Sequence, residues 1–341
     1  MAVLPSCLLS SAALPPRLLP SITEIQESCF ALVYNAYGLR LDQFHVDNLT
    51  LVSCWVPASR GDKPAASGAA NPAANLAANP AAVPAKPPLL LLHGFGASSL
   101  NHWINQLPAF SRHFDLYIPD LLFFRGSFSR SSRRDERFQA EAMMALMDQL
   151  RVERCAVVGV SYGGIIAHKM ATLCPARVTK LVLGGAGLML TKGEVQGVLR
   201  QWHADTPTDL FLPAEPRGLL RLIRLGNNEA PYLPDWLLQD ALEVLFENRA
   251  EKAGLLEESL KAAEANAEDP GSIAVPHMGT LLVWGGSDQL FPLAIAHRMQ
   301  QHFGSSCRLE VIEKGAHAIQ VHQAARFNSA VLSFLSKAGS D

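Results

Sequence analysis

No apolar run in this 341-residue chain approaches the ~20 residues that a membrane-crossing helix requires. An integral membrane segment is therefore not expected. A dominant charge sign is missing too, since 29 Lys and Arg against 31 Asp and Glu leave a formal charge of −2. No global field would draw such a chain to nucleic acid or to an anionic membrane surface. A small uncharged or amphipathic molecule suits that balance better. The six cysteines (Cys7, Cys29, Cys54, Cys155, Cys174, Cys307) form no C-x-x-C pair and no tight cluster. That spacing excludes the usual metal clusters and gives no basis for a disulfide framework. Reduced thiols fit a cytoplasmic location. The first 23 residues carry no acid, one arginine (Arg17) and several serines. They read as part of an N-terminal extension, residues 1–25, with organelle targeting through residues 1–23 as the alternative.

What the chain does contain is a large core. It is 49% hydrophobic and 18% charged, with 22 prolines and 24 glycines, as in a globular protein with several loops. Residues 61–88 include the near-repeat AANPAANLAANPAA. With few large apolar side chains and prolines that break helices, this segment predicts a flexible surface loop. From residue 89 onward, short apolar runs predict strands at Leu89–Leu92, Leu116–Ile118, Ala156–Val158, Val178–Leu183, Leu281–Trp284 and Leu309–Ile312. Helical patterns lie between them, near Phe138–Leu150, Tyr162–Leu173, Leu293–His302 and Ala324–Leu335. This alternation predicts an α/β fold with a mostly parallel sheet covered on both faces. Within residues 187–276 the pattern turns helical (Lys192–His203, Gly218–Leu225, Pro234–Leu260), which predicts a helical cap. The core is then residues 26–186 and 277–341.

Chemistry first shows at Gly159-Val160-Ser161-Tyr162-Gly163, which follows an apolar run and precedes a helical stretch. In a sharp strand-to-helix turn, small neighbours let the chains approach and leave the Ser161 hydroxyl projecting over the sheet. An ordinary βα turn carries the same residue types, so the context has to decide. Directly after Leu89–Leu92 stands His93-Gly94-Phe95-Gly96, whose glycines permit a turn with amides facing a pocket. Backbone N–H groups of Phe95 and Tyr162 are the expected oxyanion donors. His93 is expected to be structural, bonded within its own loop.

A serine hydroxyl needs a base. His317 follows the last predicted strand through a short loop and so sits at a carboxyl end of the sheet. His168, His297 and His302 lie on helical stretches, His102 lies beside the oxyanion loop, and His322 falls past the His317 loop. Asp288, after Leu281–Trp284 and Gly285-Gly286-Ser287, is the expected partner of the imidazole. The chain order Ser161, Asp288, His317 is the order of the nucleophile-elbow hydrolases. Phe123 and Phe124 are candidate walls of an apolar pocket. In the cap, Arg217, Arg221 and Arg224 share one helix face, where they either hold an anionic group of a substrate or simply meet solvent.

Over about Leu51–Leu335 the chain resembles the α/β-hydrolase superfamily. The resemblance is carried by LLLLHGFGASSLNHW, VVGVSYGGIIAHKMA, LLVWGGSDQLFP and EKGAHAIQVHQAARFNSAVLSFL. The last three segments are similar to monoacylglycerol-lipase-type esterases and to meta-cleavage-product hydrolases, which cut carbon–carbon bonds. IPDLLFFRGSFSRSS is similar to a set of uncharacterised plant members, in which glycine more often stands at the position of Arg125. The resemblance implies an eight-stranded sheet, a helical cap after the sixth strand and a mechanism without metal or other cofactor. Carbon–carbon hydrolases usually carry asparagine just before the nucleophile, where this chain has Val160. Ester cleavage through an acyl-enzyme is the expected activity, on a small-molecule substrate. Carbon–carbon hydrolysis, a small-ligand receptor with residual turnover and a membrane-associated lipase are the alternatives. Ser161 excludes the branches that use an aspartate nucleophile.

Overall fold

A strand covered on both sides has to be apolar at nearly every position, because successive side chains point to opposite faces. The computed structural model describes residues 21–59, 86–96 and 98–337, and it shows this directly. Among the described residues nine strands form one sheet: β1 (Leu39–His45), β2 (Thr50–Pro57), β3 (Pro88–Leu92), β4 (Asp115–Pro119), β5 (Phe128–Ser129), β6 (Cys155–Val160), β7 (Val178–Gly184), β8 (Thr280–Gly285) and β9 (Cys307–Ile312). In β3, Leu90 and Leu92 enter one core cluster while Leu89 and Leu91 enter another. In β8, Leu282 and Trp284 divide from Leu281 and Val283 in the same way.

The sheet order is β1-β2-β4-β3-β6-β7-β8-β9. β3, β4 and β6 to β9 run parallel, and β1 and β2 join antiparallel at one edge. Eight strands make the continuous path. The ninth, β5, is a two-residue strand paired only with β2. Among the described residues between β7 and β8 there are helices and no strand: Lys192–Gln201, Pro207–Phe211, Pro216–Asn227, Asp235–Leu245 and Arg249–Glu268. Leu212, Leu219, Leu238, Leu242 and Phe246 give these helices a small core of their own. The single helical stretch expected over Pro234–Leu260 is two helices, broken before Asn248, which takes the left-handed conformation at φ 56° that asparagine tolerates. No helix of the described residues is long and apolar enough to cross a membrane.

The N-terminal boundary needs correcting. The first helix runs Ile22–Ala36, so a limit at residue 25 falls inside its first turn. Its start is fixed by a capping box in which Ser21 accepts from the Glu24 amide and Glu24 accepts from the Ser21 amide. Residues 1–20 and 60–85, with the rest of the expected extension and most of the expected loop, lie outside the described residues. The helix ties cap to core. Thr23 donates to Asp240 of the cap through both its amide (2.9 Å) and its hydroxyl (2.7 Å). Tyr34 donates to the Ser99 carbonyl, and buried Glu27 pairs with Arg125. Arg125 stands at φ 47°, a region where glycine is easier to accommodate. In exchange its guanidinium reaches Glu27, the Val244 carbonyl at 3.2 Å and Glu247 at 3.7 Å.

Glu136 is buried beneath the cap helix Arg249–Glu268, where the Ser259 hydroxyl donates to it at 3.2 Å. Burial pushes its pKa up to about 7, partly opposed by Lys169 and the Ser259 bond. Because the folded-state pKa lies above the unfolded one, the folded chain holds this proton more tightly, and stability falls as pH rises from about 4.5 to about 7. Glu136→Gln keeps an acceptor for Ser259 and cannot ionise. Its Tm should exceed that of the wild type by a few degrees at pH 8, with the gap closing towards pH 5. Thermal scans across that range read the difference, and a gap that does not change with pH would contradict the assignment.

Candidate active site

Ser161 occupies the turn between β6 and the helix Tyr162–Leu173, at φ 53° and ψ −121°. Such a conformation costs a non-glycine residue about 1–3 kcal/mol, so its surroundings must enforce it. The Ser161 amide donates to the Gly184 carbonyl of β7 at 2.7 Å. A Cβ at Gly163 would lie 2.2 Å from the Leu92 carbonyl oxygen and 2.4 Å from that of His93. Only glycine lets the elbow press so closely on the end of β3.

Asp288 follows β8 and His317 follows β9, and the two loops are packed against each other. A Cβ at Gly285 would meet the carbonyl oxygens of Ala316 and Gly315 at 2.3 and 2.4 Å. His317 Nδ1 lies 2.8 Å from Asp288 Oδ2, with the aspartate side chain 1% exposed and the histidine 11%. The other carboxylate oxygen accepts from the amides of Leu290 (2.9 Å) and Phe291 (2.8 Å). Both oxygens are thereby satisfied, and the carboxylate favours the imidazole form protonated at Nδ1 and open at Nε2. The Phe291 ring packs against His317 at right angles, 5.0 Å between centroids.

Ser161 and His317 line one cleft of about 720 Å³ beneath the cap. Among the described residues the Ser161 side chain caps no helix amide. A contact between nucleophile and base commonly tightens only once substrate is present. The Phe95 amide, in the turn after β3, and the Tyr162 amide, first in its helix, donate to no carbonyl among the described residues. Two such free donors beside a serine can receive an oxyanion.

Two histidines hold this turn, His93 fully buried and His102 half-buried. Leu121 N–H donates to His93 Nε2 at 2.9 Å, so Nδ1 carries the proton and donates to the Gly94 carbonyl at 2.8 Å. Burial holds the His93 pKa down at about 4, which keeps the ring neutral. From the other side the Gly94 amide donates to His102 Nδ1 at 2.8 Å. The sequence reading placed His93 in its loop but passed over His102. Its signal is a histidine nine residues after His93, which becomes meaningful only when the intervening helix Ser99–Trp103 folds back.

The pocket walls differ from expectation. Phe123 lies under the Arg134 guanidinium, 4.1 Å from its ring centroid. Phe124 stands behind His93 and Phe95, at 5.1 and 5.4 Å. Neither lines the cleft. Its apolar walls come from Phe211, Leu219, Leu222, Leu237 and Phe246 of the cap, and the helix Ile22–Ala36 adds Thr23, Gln26 and Phe30. The arginines expected along one cap face lie outside it too, and Arg221 donates to the backbone carbonyls of His203 and Asp209. The cleft is lined by no Lys, Arg, Asp or Glu among the described residues. A smaller recess of about 40 Å³ also borders Ser161, between Tyr162, Ile165, Leu190, Leu256, Leu260 and Phe291. Among the described residues no group of three or more His, Cys, Asp or Glu is placed to hold a metal ion.

A sequence profile described as the alpha/beta hydrolase fold matches residues 87–323. The acetyltransferase component of an acetoin-cleaving system from Pseudomonas putida is 27% identical over 73% of this chain, which spans 64% of that protein. A 2-hydroxy-6-oxononadienedioate/2-hydroxy-6-oxononatrienedioate hydrolase from a Pseudomonas species is 27% identical over 73% of this chain and 88% of its own length. Among solved structures, a bacterial membrane phospholipase A superposes with a TM-score of 0.68 at 21% identity, over 92% of this chain and 91% of its own. These relatives are bacterial and lend no support to the plant likeness of the segment around Arg125.

Proposed function

Because this chain belongs to the α/β-hydrolase family, we propose that it cleaves a carboxylic ester of a small apolar or amphipathic substrate through an acyl-enzyme on Ser161. The observation that supports this most is the 2.8 Å pairing of His317 with Asp288 in a cleft that also holds Ser161 in its strained turn. In this reading His317 takes the Ser161 proton as the oxygen attacks the carbonyl. Asp288 stabilises the imidazolium, and the Phe95 and Tyr162 amides receive the oxyanion. The imidazolium then protonates the leaving alcohol, and water releases the acyl group by the same steps in reverse. The five described cysteines are free, which fits a reducing, cytoplasmic setting.

Carbon–carbon hydrolysis is the second reading, because one of the relatives bears that kind of name. The cleft speaks against it. A dioate brings two carboxylates, and a buried carboxylate without a cationic partner is costly. No cation lines this cleft among the described residues, and Val160 contributes an apolar surface beside Ser161. The two cavities also differ about eighteen-fold in volume, which suits an ester with one short and one longer substituent. A panel of esters and one vinylogous diketone decides between the readings. Esters with one short side should turn over at least about ten-fold faster than those with eight-carbon chains on both sides, the recess being too small for a chain. The diketone should be left intact. Cleavage of the diketone with all esters untouched would replace the ester reading by the carbon–carbon one.

A further inference from the structure

His102 is a half-buried imidazole beside Ser161 that the acyl-transfer steps leave unused. It comes from the short helix Ser99–Trp103, which is started by Ser98 capping the Asn101 amide. Its Nδ1 is occupied as acceptor of the Gly94 amide at 2.8 Å. That bond settles the tautomer, because Nδ1 cannot accept and carry a proton at once, so Nε2 bears the hydrogen. Nε2–H has no hydrogen-bond partner among the described residues, and the ring lines the large cleft. Its place relative to the nucleophile is defined through Gly94, where a Cβ would lie 3.1 Å from His102 Cε1 and 3.1 Å from Ser161 Cβ. Burial, with the neighbouring His93 and His317, drives the His102 pKa down to about 3, so the ring stays neutral. A neutral N–H on a ring that lines an apolar cleft is a directional donor, and leaving it unpaired under a bound hydrocarbon carries a desolvation cost.

We propose that His102 is a specificity-determining residue whose Nε2–H donates to an acceptor oxygen on the substituent lodged in the large cleft. The substrate class is then an ester carrying a second oxygen, as ether, ketone or hydroxyl, a few bonds from the scissile carbonyl. This rests on the serine-hydrolase reading of the same site. Through Nδ1, His102 is also a positioning residue for the turn that carries the Phe95 amide. The two ring nitrogens therefore do separate jobs, and two amides can separate them. In His102→Asn the side-chain oxygen falls near the position of Nδ1 and can still accept from Gly94, while the distal donor is gone. In His102→Gln the side-chain amide reaches the position of Nε2 and can still donate, while the Gly94 acceptor is lost.

The experiment uses esters of matched length in which one methylene, at successive positions on the acyl or alcohol side, is replaced by an ether oxygen. The quantity read is the ratio of kcat/KM for each oxygenated ester to that of its hydrocarbon parent, which cancels losses common to both. At one or two positions the wild-type ratio should fall about ten-fold in His102→Asn, the size expected for one neutral hydrogen bond. His102→Gln should lose turnover on every ester while keeping most of the ratio. Ratios that are the same in wild type and His102→Asn at every position would overturn the proposal. So would a ratio lost in both variants alike, which marks a role in holding the loop alone. Labelling of wild-type Ser161 by a fluorophosphonate is measured in parallel. Failure of that labelling removes the serine-hydrolase reading and this proposal with it, whereas labelled enzyme with unchanged ratios removes only the role of His102.

Discussion

Ser161→Ala should abolish covalent labelling by a fluorophosphonate and lower ester turnover by at least about ten-thousand-fold, with the fold retained. The size follows from what is lost. In the proposed mechanism no acyl-enzyme can form without the hydroxyl, and only the cleft and the two amides would remain to favour direct attack by water. The fold should survive because the strained turn does not depend on the hydroxyl. The Ser161 amide still donates to Gly184, and the neighbouring glycines still let the helix approach β3. Alanine at φ 53° is no worse than serine there. Labelling with mass-spectrometric assignment of the modified peptide reads the first effect, and circular dichroism reads the second. Labelling that persists in the variant places the nucleophile elsewhere.

Asp288→Asn should slow turnover by about a hundred-fold or more while leaving Tm nearly unchanged. The hydrogen bonds around this side chain give the reason. One oxygen receives two backbone amides, from Leu290 and Phe291, so an asparagine will turn its carbonyl oxygen to them. Its NH₂ then faces His317 Nδ1, where the carboxylate now sits at 2.8 Å. A donor at that position requires Nδ1 to be unprotonated, which puts the hydrogen on Nε2 and removes the base. In chymotrypsin-type proteases the same exchange costs roughly ten-thousand-fold. The acid nearest to His317 in sequence, Glu313, is exposed. Near-wild-type turnover in Asp288→Asn, with loss in Glu313→Gln, would transfer the role to Glu313.

The parallel half of the sheet was legible because it is buried on both faces. Leu89 to Leu92 and Leu281 to Trp284 had to be apolar at every position, and such runs stand out. β1 was not legible. It is the antiparallel edge strand, only Leu39 and Phe44 along it are buried, and nothing continuous marks it. The helix Ile22–Ala36 was missed although its capping box is written in Ser21 and Glu24, because the apolar serine- and proline-rich residues before it drew the boundary too late. At the site, order along the chain singled out Ser161, Asp288 and His317 as candidates, and the structure places them after the parallel strands β6, β8 and β9. That order could not identify the walls. Phe123 and Phe124 are adjacent to a strand end, yet the turn there directs them into the core, with Phe123 at φ 74°. Leu222, Phe246 and His102 reach the cleft only through the folding of separate helices, and no local pattern announces that.

The helix Ile22–Ala36 has a consequence for how such a chain can diversify. It precedes the stretch that matches the family profile, residues 87–323, and yet it supplies Thr23, Gln26 and Phe30 to the chamber in which Ser161 sits. Part of the wall around the proposed nucleophile is thus encoded ahead of the stretch that the family profile matches. Substitutions at those three positions should alter which molecules are admitted while the proposed triad of Ser161, His317 and Asp288 stays as it is. The two hydrogen bonds from Thr23 to Asp240 also make the helix a strut under the cap. A fusion partner joined directly ahead of Ser21 would load that strut, and a chain cut back beyond Ala36 would leave Ser161 in a chamber without the wall of Thr23, Gln26 and Phe30.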